Sequence, residues 1–300
     1  MLKRLHVYLK EMLPPVKCAI VSATLFFEIY FLVVLIAGVD GLSVGIQEIS
    51  GCITIFIFLL SLRIADDFKD YKTDMKLFPN RPLPSGRVKK MDLAALLIVT
   101  NIIAITLNII FMNNLIYYCV LMLYGTLMSV WFFARSKIQK NLLLAVVTHN
   151  PVDFIVNIYI ITFACIKYGL PIMTFNNILI AFTLYWPSLI WEISRKVRAP
   201  EDETEYVTYS KIYGYKKITG IILLIITFDV ITSAKLMYEL WAWGIIAVVA
   251  AWAWFVLQCF IFIKNPKRFK LGSRIEIYEL VTEVPVILVM AGVIWARGMI

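Results

Sequence analysis

GCITIFIFLLSLRIADDFKDYKTDMKLFPNRPLPSGRV, residues 51–88, passes within a few positions from an apolar run to a loop dense in charge. The apolar part belongs to a stretch at 44–64. That is long enough to cross a bilayer core, which takes about 20 residues of helix. Four aspartates follow it: Asp66, Asp67, Asp70 and Asp74. Asp66, Asp70 and Asp74 are spaced i, i+4, i+8 and share one helix face. Their mutual repulsion and the negative end of the helix dipole both oppose such a cluster unless a cation offsets them. Hard divalent ions take carboxylate oxygens, and Mg²⁺ in particular keeps waters and bridges to substrate phosphates. The cluster is therefore a candidate metal–diphosphate site. The plainer alternative is a solvated interfacial loop whose acids pair with Lys69, Lys72 and Lys76.

Outward from this loop the chain repeats the pattern. Of its 300 residues 61% are hydrophobic and 16% charged, too few charges to clothe a soluble domain of this size. Nine apolar runs reach bilayer length: roughly 18–38, 44–64, 93–112, 115–134, 142–166, 172–192, 218–236, 241–263 and 279–296. The expected fold is an all-α polytopic membrane protein of nine transmembrane helices in a single domain over 1–300. It has two four-helix repeats (about 18–134 and 142–263) and a ninth helix. All but Lys167, Lys235 and Arg297 of the 29 Lys and Arg fall in the N-terminal tail or the even-numbered loops. This asymmetry places the N-terminus and those loops in the cytoplasm. The expectation is an integral, multi-pass protein of a cell inner membrane with its active site facing the cytoplasm. The +9 net charge is thus a topology signal. The basic residues flank spans and form no continuous stripe, which argues against nucleic acid. Cys18, Cys52, Cys119, Cys165 and Cys259 lie singly in apolar runs, without metal-ligand or redox spacing.

DDFKDYKTD, followed by NRPLPSGRV, resembles the first signature of the UbiA superfamily of intramembrane prenyltransferases. That signature reads Asn-Asp-x-x-Asp-x-x-x-Asp with a downstream Arg-Pro-x-x-Ser-Gly. The resemblance falls on Asp67, Asp70 and Asp74, with Asp66 in the place of Asn, and continues through Arg81, Pro82, Ser85 and Gly86. It implies Mg²⁺ as cofactor, a prenyl diphosphate as substrate and a nine-helix, two-repeat fold. The second charged loop, WEISRKVRAPEDETEYVTYSKIYG at 191–214, matches less closely. Its ending, Thr208 to Gly214, is similar to the close of the family's second Asp-rich motif. Counted back from it, Glu201 falls near one family aspartate and Glu192 where the motif opens. The acid expected between them is replaced by Lys196, Val197 and Arg198. Arg195, Lys196 and Arg198 offer another route, neutralising diphosphate directly, with Glu192 as the second metal ligand. Anchoring at the membrane surface accounts equally for these cations.

Ionisable residues inside spans are costly and mark functional candidates. His149 and Asp153 stand one turn apart in THNPVDFIVN, about 12 Å below the cytoplasmic end at 1.5 Å per residue. They read either as a hydrogen-bonded pair between helices or as proton-transfer groups. Glu28, Glu48, Asp229, Glu279 and Glu283 are further intramembrane acids. Tyr185 and Trp186 are placed to wall an isoprenoid tail and face an allylic cation, or else to pack against lipid.

Ionising an allylic diphosphate requires a neutralised leaving group and a cation kept from water. The leading reading is a Mg²⁺-dependent prenyltransferase that passes the prenyl group to an acceptor such as an aromatic or quinone precursor. The alternative is a UbiA-type terpene cyclase, favoured by the DDFKD run and by a first span carrying Glu28 and no cation beyond Lys17. A non-catalytic transporter or lipid-binding protein is the third.

Overall fold

The computed structural model describes residues 1–205 and 207–298. They are all-α, and no strand occurs among them. Seven helical stretches are long and apolar enough to cross a membrane: Pro15–Ile36, Ile46–Lys69, Lys90–Met112, Leu142–Tyr168, Tyr215–Leu240, Ala242–Lys264 and Leu271–Ala296. Helix is the element a bilayer demands here, because it satisfies every backbone polar group within one segment. The chain is an integral, multi-pass membrane protein.

Two expected spans take other forms. Leu115–Ser129 is only 15 residues long. Beyond it Trp131, Phe132 and Phe133 all adopt left-handed backbone, at φ 55°, 49° and 57°, and end the run. The run at 172–192 forms two short helices, Phe175–Thr183 and Trp186–Ser194. Pro187, near the start of the second, has no N–H to offer the carbonyl of Thr183 and so interrupts the ladder.

The chain divides into two compact units. Unit 1 comprises Met1–Tyr30, Ser43–Arg135 and Thr162–Leu170. Its helices are α1 (Leu2–Met12), the greater part of α2 (Pro15–Ile36), α3 (Ile46–Lys69), α4 (Tyr71–Leu77), α5 (Lys90–Leu107) and α6 (Leu115–Ser129). Helix α1 is amphipathic. Leu5, Tyr8, Leu9 and Met12, at helical spacing, join Leu60, Ile64, Leu83, Val88 and Leu93 in one apolar cluster. Deeper in the unit, small and polar residues join the helices, as expected where lipid removes the hydrophobic drive. Asn108 Nδ2 donates to Thr54 Oγ1 (3.1 Å), Asn101 Nδ2 to Ser61 Oγ (3.0 Å), and Tyr118 Oη to Asn101 Oδ1 (2.8 Å). Gly51 lets α3 meet the ring of Phe26, whose nearest atom lies 2.2 Å from where a Cβ would stand. At the far end of α3 from the aspartates, buried Glu48 is bonded by Lys167 and by the Gly45 amide (2.8 Å).

Unit 2 comprises Phe31–Leu42, Ser136–Ile161 and the chain from Pro171 onward. It holds α7 (Arg135–Ile138, from its second residue), α8 (Leu142–His149), most of α9 (Pro151–Tyr168), α10 (Phe175–Thr183) and α11 (Trp186–Ser194). It continues through α12 (Tyr209–Tyr213), α13 (Tyr215–Leu240), α14 (Ile245–Lys264) and α15 (Leu271–Ala296). Its core gathers Ile190 and Ile193 of α11 with Ile218, Ile222 and Ile226 of α13, Phe255 and Phe262 of α14, and Ile275 and Tyr278 of α15.

Candidate functional site

The acidic loop of unit 1 is bolted to the rest of that unit by α1. Arg4 Nε donates to Asp92 (2.6 Å), and Arg87 bonds both Glu11 (2.8 Å) and the Asn80 carbonyl (2.6 Å). Its bond to Arg87 holds the Glu11 carboxyl below the usual range. The four aspartates have different surroundings. Asp66 is half-buried and pairs with Lys69 at 2.7 Å. Asp67 is buried, accepting from Tyr8 Oη (2.6 Å) and Arg63 (2.6 Å). Asp74 is buried and pairs with Arg81 at 2.8 Å. Arg81 in turn lies 4.0 Å over the ring of Phe78.

Asp70 sits at the junction of α3 and α4. Its backbone amide bonds the Asp66 carbonyl, and its own carbonyl receives Thr73 and Asp74. Its carboxylate has no hydrogen-bond or ion-pair partner among the described residues. Burial pushes its pKa up, Lys69 pulls it down, and the charges of Asp66 and Asp74 push it up again. A cavity of about 560 Å³ opens beside the loop, lined by Arg63, Arg81, Glu11 and the Leu77–Pro82 segment.

Mg²⁺ matches this donor set in kind: hard carboxylate oxygens, one of them with no protein partner. The side chains are not gathered around a point, however. Among the described residues no three His, Cys, Asp or Glu come together closely enough to hold a metal. Asp66, Asp67 and Asp74 are each held by the protein's own donors.

The second charged loop lies in unit 2 and is arranged by its own pairs. Glu192, in the last turn of α11, is bonded by Arg195 and by Lys196 (2.7 Å). The Arg198 amide bonds Ser210 Oγ (2.8 Å), and its guanidinium donates to Thr204 (3.0 Å). Glu201 is exposed and lies 3.4 Å from Lys267. Thr208 and Gly214 bound a helix: the threonine side chain caps α12, accepting from the Lys211 amide (3.1 Å), and Gly214 leaves it at φ 81°. That positive φ favours glycine.

Within unit 2's spans, Asp153 accepts a hydrogen bond from Ser188, and Asn150 Nδ2 reaches the same hydroxyl at 3.3 Å. Pro151 and Pro187 interrupt the two helices at this level, and Ser188 bridges them. His149 Nδ1 lies 3.0 Å from Thr148 Oγ1 and 3.1 Å from the Ala145 carbonyl. Tyr185 and Trp186 fall in an aromatic run. Phe154 meets Phe182 at 4.8 Å, and Trp186 stacks on Phe182 (5.7 Å) and Phe228 (6.4 Å). Both the Trp186 indole N–H and Asn150 Oδ1 are buried without a hydrogen-bond partner among the described residues.

Sequence reasoning missed Tyr8, Ser188 and the ring of Phe228. The spacing of Leu5, Tyr8, Leu9 and Met12 was the available signal for α1. Nothing local announces that Tyr8 reaches Asp67, 59 positions away.

No protein-family model and no curated protein matches the chain. The fold does match that of a solved structure, a digeranylgeranylglyceryl phosphate synthase studied in membranes. The TM-score is 0.68 over 97% of this chain and 99% of that one, at 17% identity. At that identity the likeness is one of fold.

Proposed function

We propose that the chain is an intramembrane prenyltransferase that ionises an isoprenoid diphosphate and passes the prenyl group to an acceptor. The observation that carries this reading is Asp70, a carboxylate with no hydrogen-bond or ion-pair partner among the described residues, set in sequence between Asp66 and Asp74. The likeness in fold to a synthase named for a lipid with two geranylgeranyl groups supports it. Aromatic and quinone-precursor compounds are the candidate acceptors to be tried. The site faces the cytoplasm, where the basic loops lie, in a cell inner membrane.

In unit 1, Asp66, Asp67, Asp70 and Asp74 are the candidate residues that would hold Mg²⁺, which would supply positive charge against the leaving diphosphate. Arg81 binds diphosphate oxygens through a planar fork suited to bidentate contact. In unit 2, taken by itself, Lys196 and Arg198 are candidate phosphate-binding cations, and Glu192 and Glu201 are candidate metal-binding carboxylates. Tyr185 and Trp186 wall the prenyl tail and present ring faces to positive charge. Asp153, which accepts a hydrogen bond from Ser188, and His149, one turn away, are the candidate groups for proton transfer.

The test is turnover by the reconstituted chain. Geranyl, farnesyl and geranylgeranyl diphosphates are supplied with Mg²⁺, with and without candidate acceptors. Prenylated product that appears only with an acceptor supports transfer. Cyclic hydrocarbon without acceptor assigns the chain to terpene cyclisation instead. Failure of every donor and acceptor pair to turn over, with the protein folded, refutes both.

A further inference from the structure

Unit 2 contains a second charged recess, at the end of the bundle where α11 and α14 finish and α15 begins. A cavity of about 620 Å³ is lined there by Arg195 and Arg198 from the loop after α11 and by Lys267 and Lys270 from the α14–α15 turn. The first turn of α15, Gly272 and Ser273 included, closes one wall. That turn lies directly against the loop: a Cβ on Gly272 would meet the Arg195 backbone at 3.6 Å.

Helix α15 is 26 residues long, and its first amides point out of the helix with no acceptor within it. The amides of Leu271 and Gly272, the Ser273 hydroxyl and the Lys270 ammonium have no hydrogen-bond partner among the described residues. Lys267 has only the 3.4 Å contact with exposed Glu201. Two carboxylates, Asp202 and Glu276, also line the cavity; of the four cations, Arg195 is paired with Glu192 and Lys267 touches Glu201, while Lys270 has no ion-pair partner among the described residues. Cations from separate segments, a hydroxyl and open amides at the positive end of a long helix form the donor set that binds phosphate oxygens. Phe262, Phe269 and Val197 give the same recess an apolar side.

We propose that this recess is a phosphate-binding site, built within unit 2 by residues that the prenyl-transfer reading does not use, Arg195 and Arg198 excepted. The phosphate comes from an anionic lipid headgroup or from a free phosphate compound. The apolar side wall suits the first, and the open mouth admits the second.

The full chain in detergent separates them with two probes. Inorganic diphosphate without Mg²⁺ is titrated calorimetrically, and phosphatidic acid is compared with phosphatidylcholine by native mass spectrometry. The parent is expected to bind at least one phosphate probe in preference to phosphatidylcholine. Lys267→Ser combined with Lys270→Ser weakens it by about tenfold, the scale set by lost charge-assisted contacts. Lys264→Ser, whose side chain lies outside the cavity, leaves binding unchanged. Phosphatidic acid alone identifies a headgroup, diphosphate alone a free ligand, and both the shared chemistry. Should the double variant melt early, Ser273→Ala reports on the same site with a smaller loss. Asp70→Ala must keep phosphate binding, which separates this proposal from the prenyl-transfer reading. Binding by neither probe, or equal binding by parent and double variant, overturns it.

Discussion

Replacing Asp67 and Asp70 one at a time by alanine separates two roles that look alike in sequence. Asp67→Ala removes the acceptor of Tyr8 Oη, a hydroxyl on a side chain that is fully buried. A buried donor left unpaired costs about 1–3 kcal/mol. The same change releases Arg63, which is 28% exposed, so solvent screening holds that loss to about 1 kcal/mol or less. The sum is about 1–4 kcal/mol, which at about 2 °C per kcal/mol for a long chain lowers Tm by roughly 2–8 °C. Asp70→Ala breaks no bond among the described residues. Asp70's pKa is raised in the fold, so the folded state disfavours its charge relative to the unfolded chain. At neutral pH that charge opposes folding, and deleting it leaves Tm unchanged or higher. Thermal unfolding in one detergent without Mg²⁺, followed by tryptophan fluorescence, measures both. Turnover is lost in both. An Asp67→Ala protein that melts with the parent, or an Asp70→Ala protein that melts well below it, refutes this division of labour.

Four further outcomes are expected. Mg²⁺ raises the Tm of the parent and not that of Asp70→Ala, and a chelator reverses the shift; equal protection of both proteins removes Asp70 from the ligand set. Glu11's carboxyl is held low by Arg87, so its contribution to stability is present above the ordinary glutamate pKa and lost as pH falls through the depressed value. Glu11→Gln should therefore flatten the acid limb of a Tm-versus-pH profile, and an unaltered limb would count against the clasp. Gly51→Ala sets a methyl 2.2 Å from the ring of Phe26 where ordinary contact begins near 3.4 Å, and overpacking of this kind costs about 1–3 kcal/mol; thermal melts of Gly51→Ala with and without Phe26→Leu check it, the second change relieving the first. Phe133→Gly relieves a left-handed residue that is 84% exposed and should raise stability by up to about 1 kcal/mol, read as a higher Tm.

The spans were legible because hydropathy is a sum over many residues and tolerates local exceptions. The seven long helices coincide with expected runs for that reason. The two runs that came out differently contain exceptions that hydropathy does not register. Trp131, Phe132 and Phe133 are apolar enough to continue a span, yet their backbone turns the other way. Pro187 was visible as a helix breaker, but it sits among Tyr185, Trp186, Leu189 and Ile190, whose apolarity masks it. The acidic cluster could be listed from sequence, since its spacing is local. How its charges are compensated could not, because Tyr8 and Arg81 are brought in by tertiary packing. Ser188 escaped notice likewise: a lone serine in an apolar stretch carries no signal until Asp153, 35 positions away, is set beside it.

The division between α10 and α11 bears on how the protein is made. Each arm has nine residues, about 13 Å of helix, against a hydrocarbon layer of about 30 Å. Neither arm could partition into lipid alone as it left the ribosome. Helix α9 is synthesised earlier and offers Asn157 Nδ2 to the Ala181 carbonyl of α10 at 3.1 Å, a handhold for a segment that is otherwise too short. Insertion of this stretch is therefore expected to depend on α9, whose Asn157 supplies a polar contact that neither short arm finds in lipid.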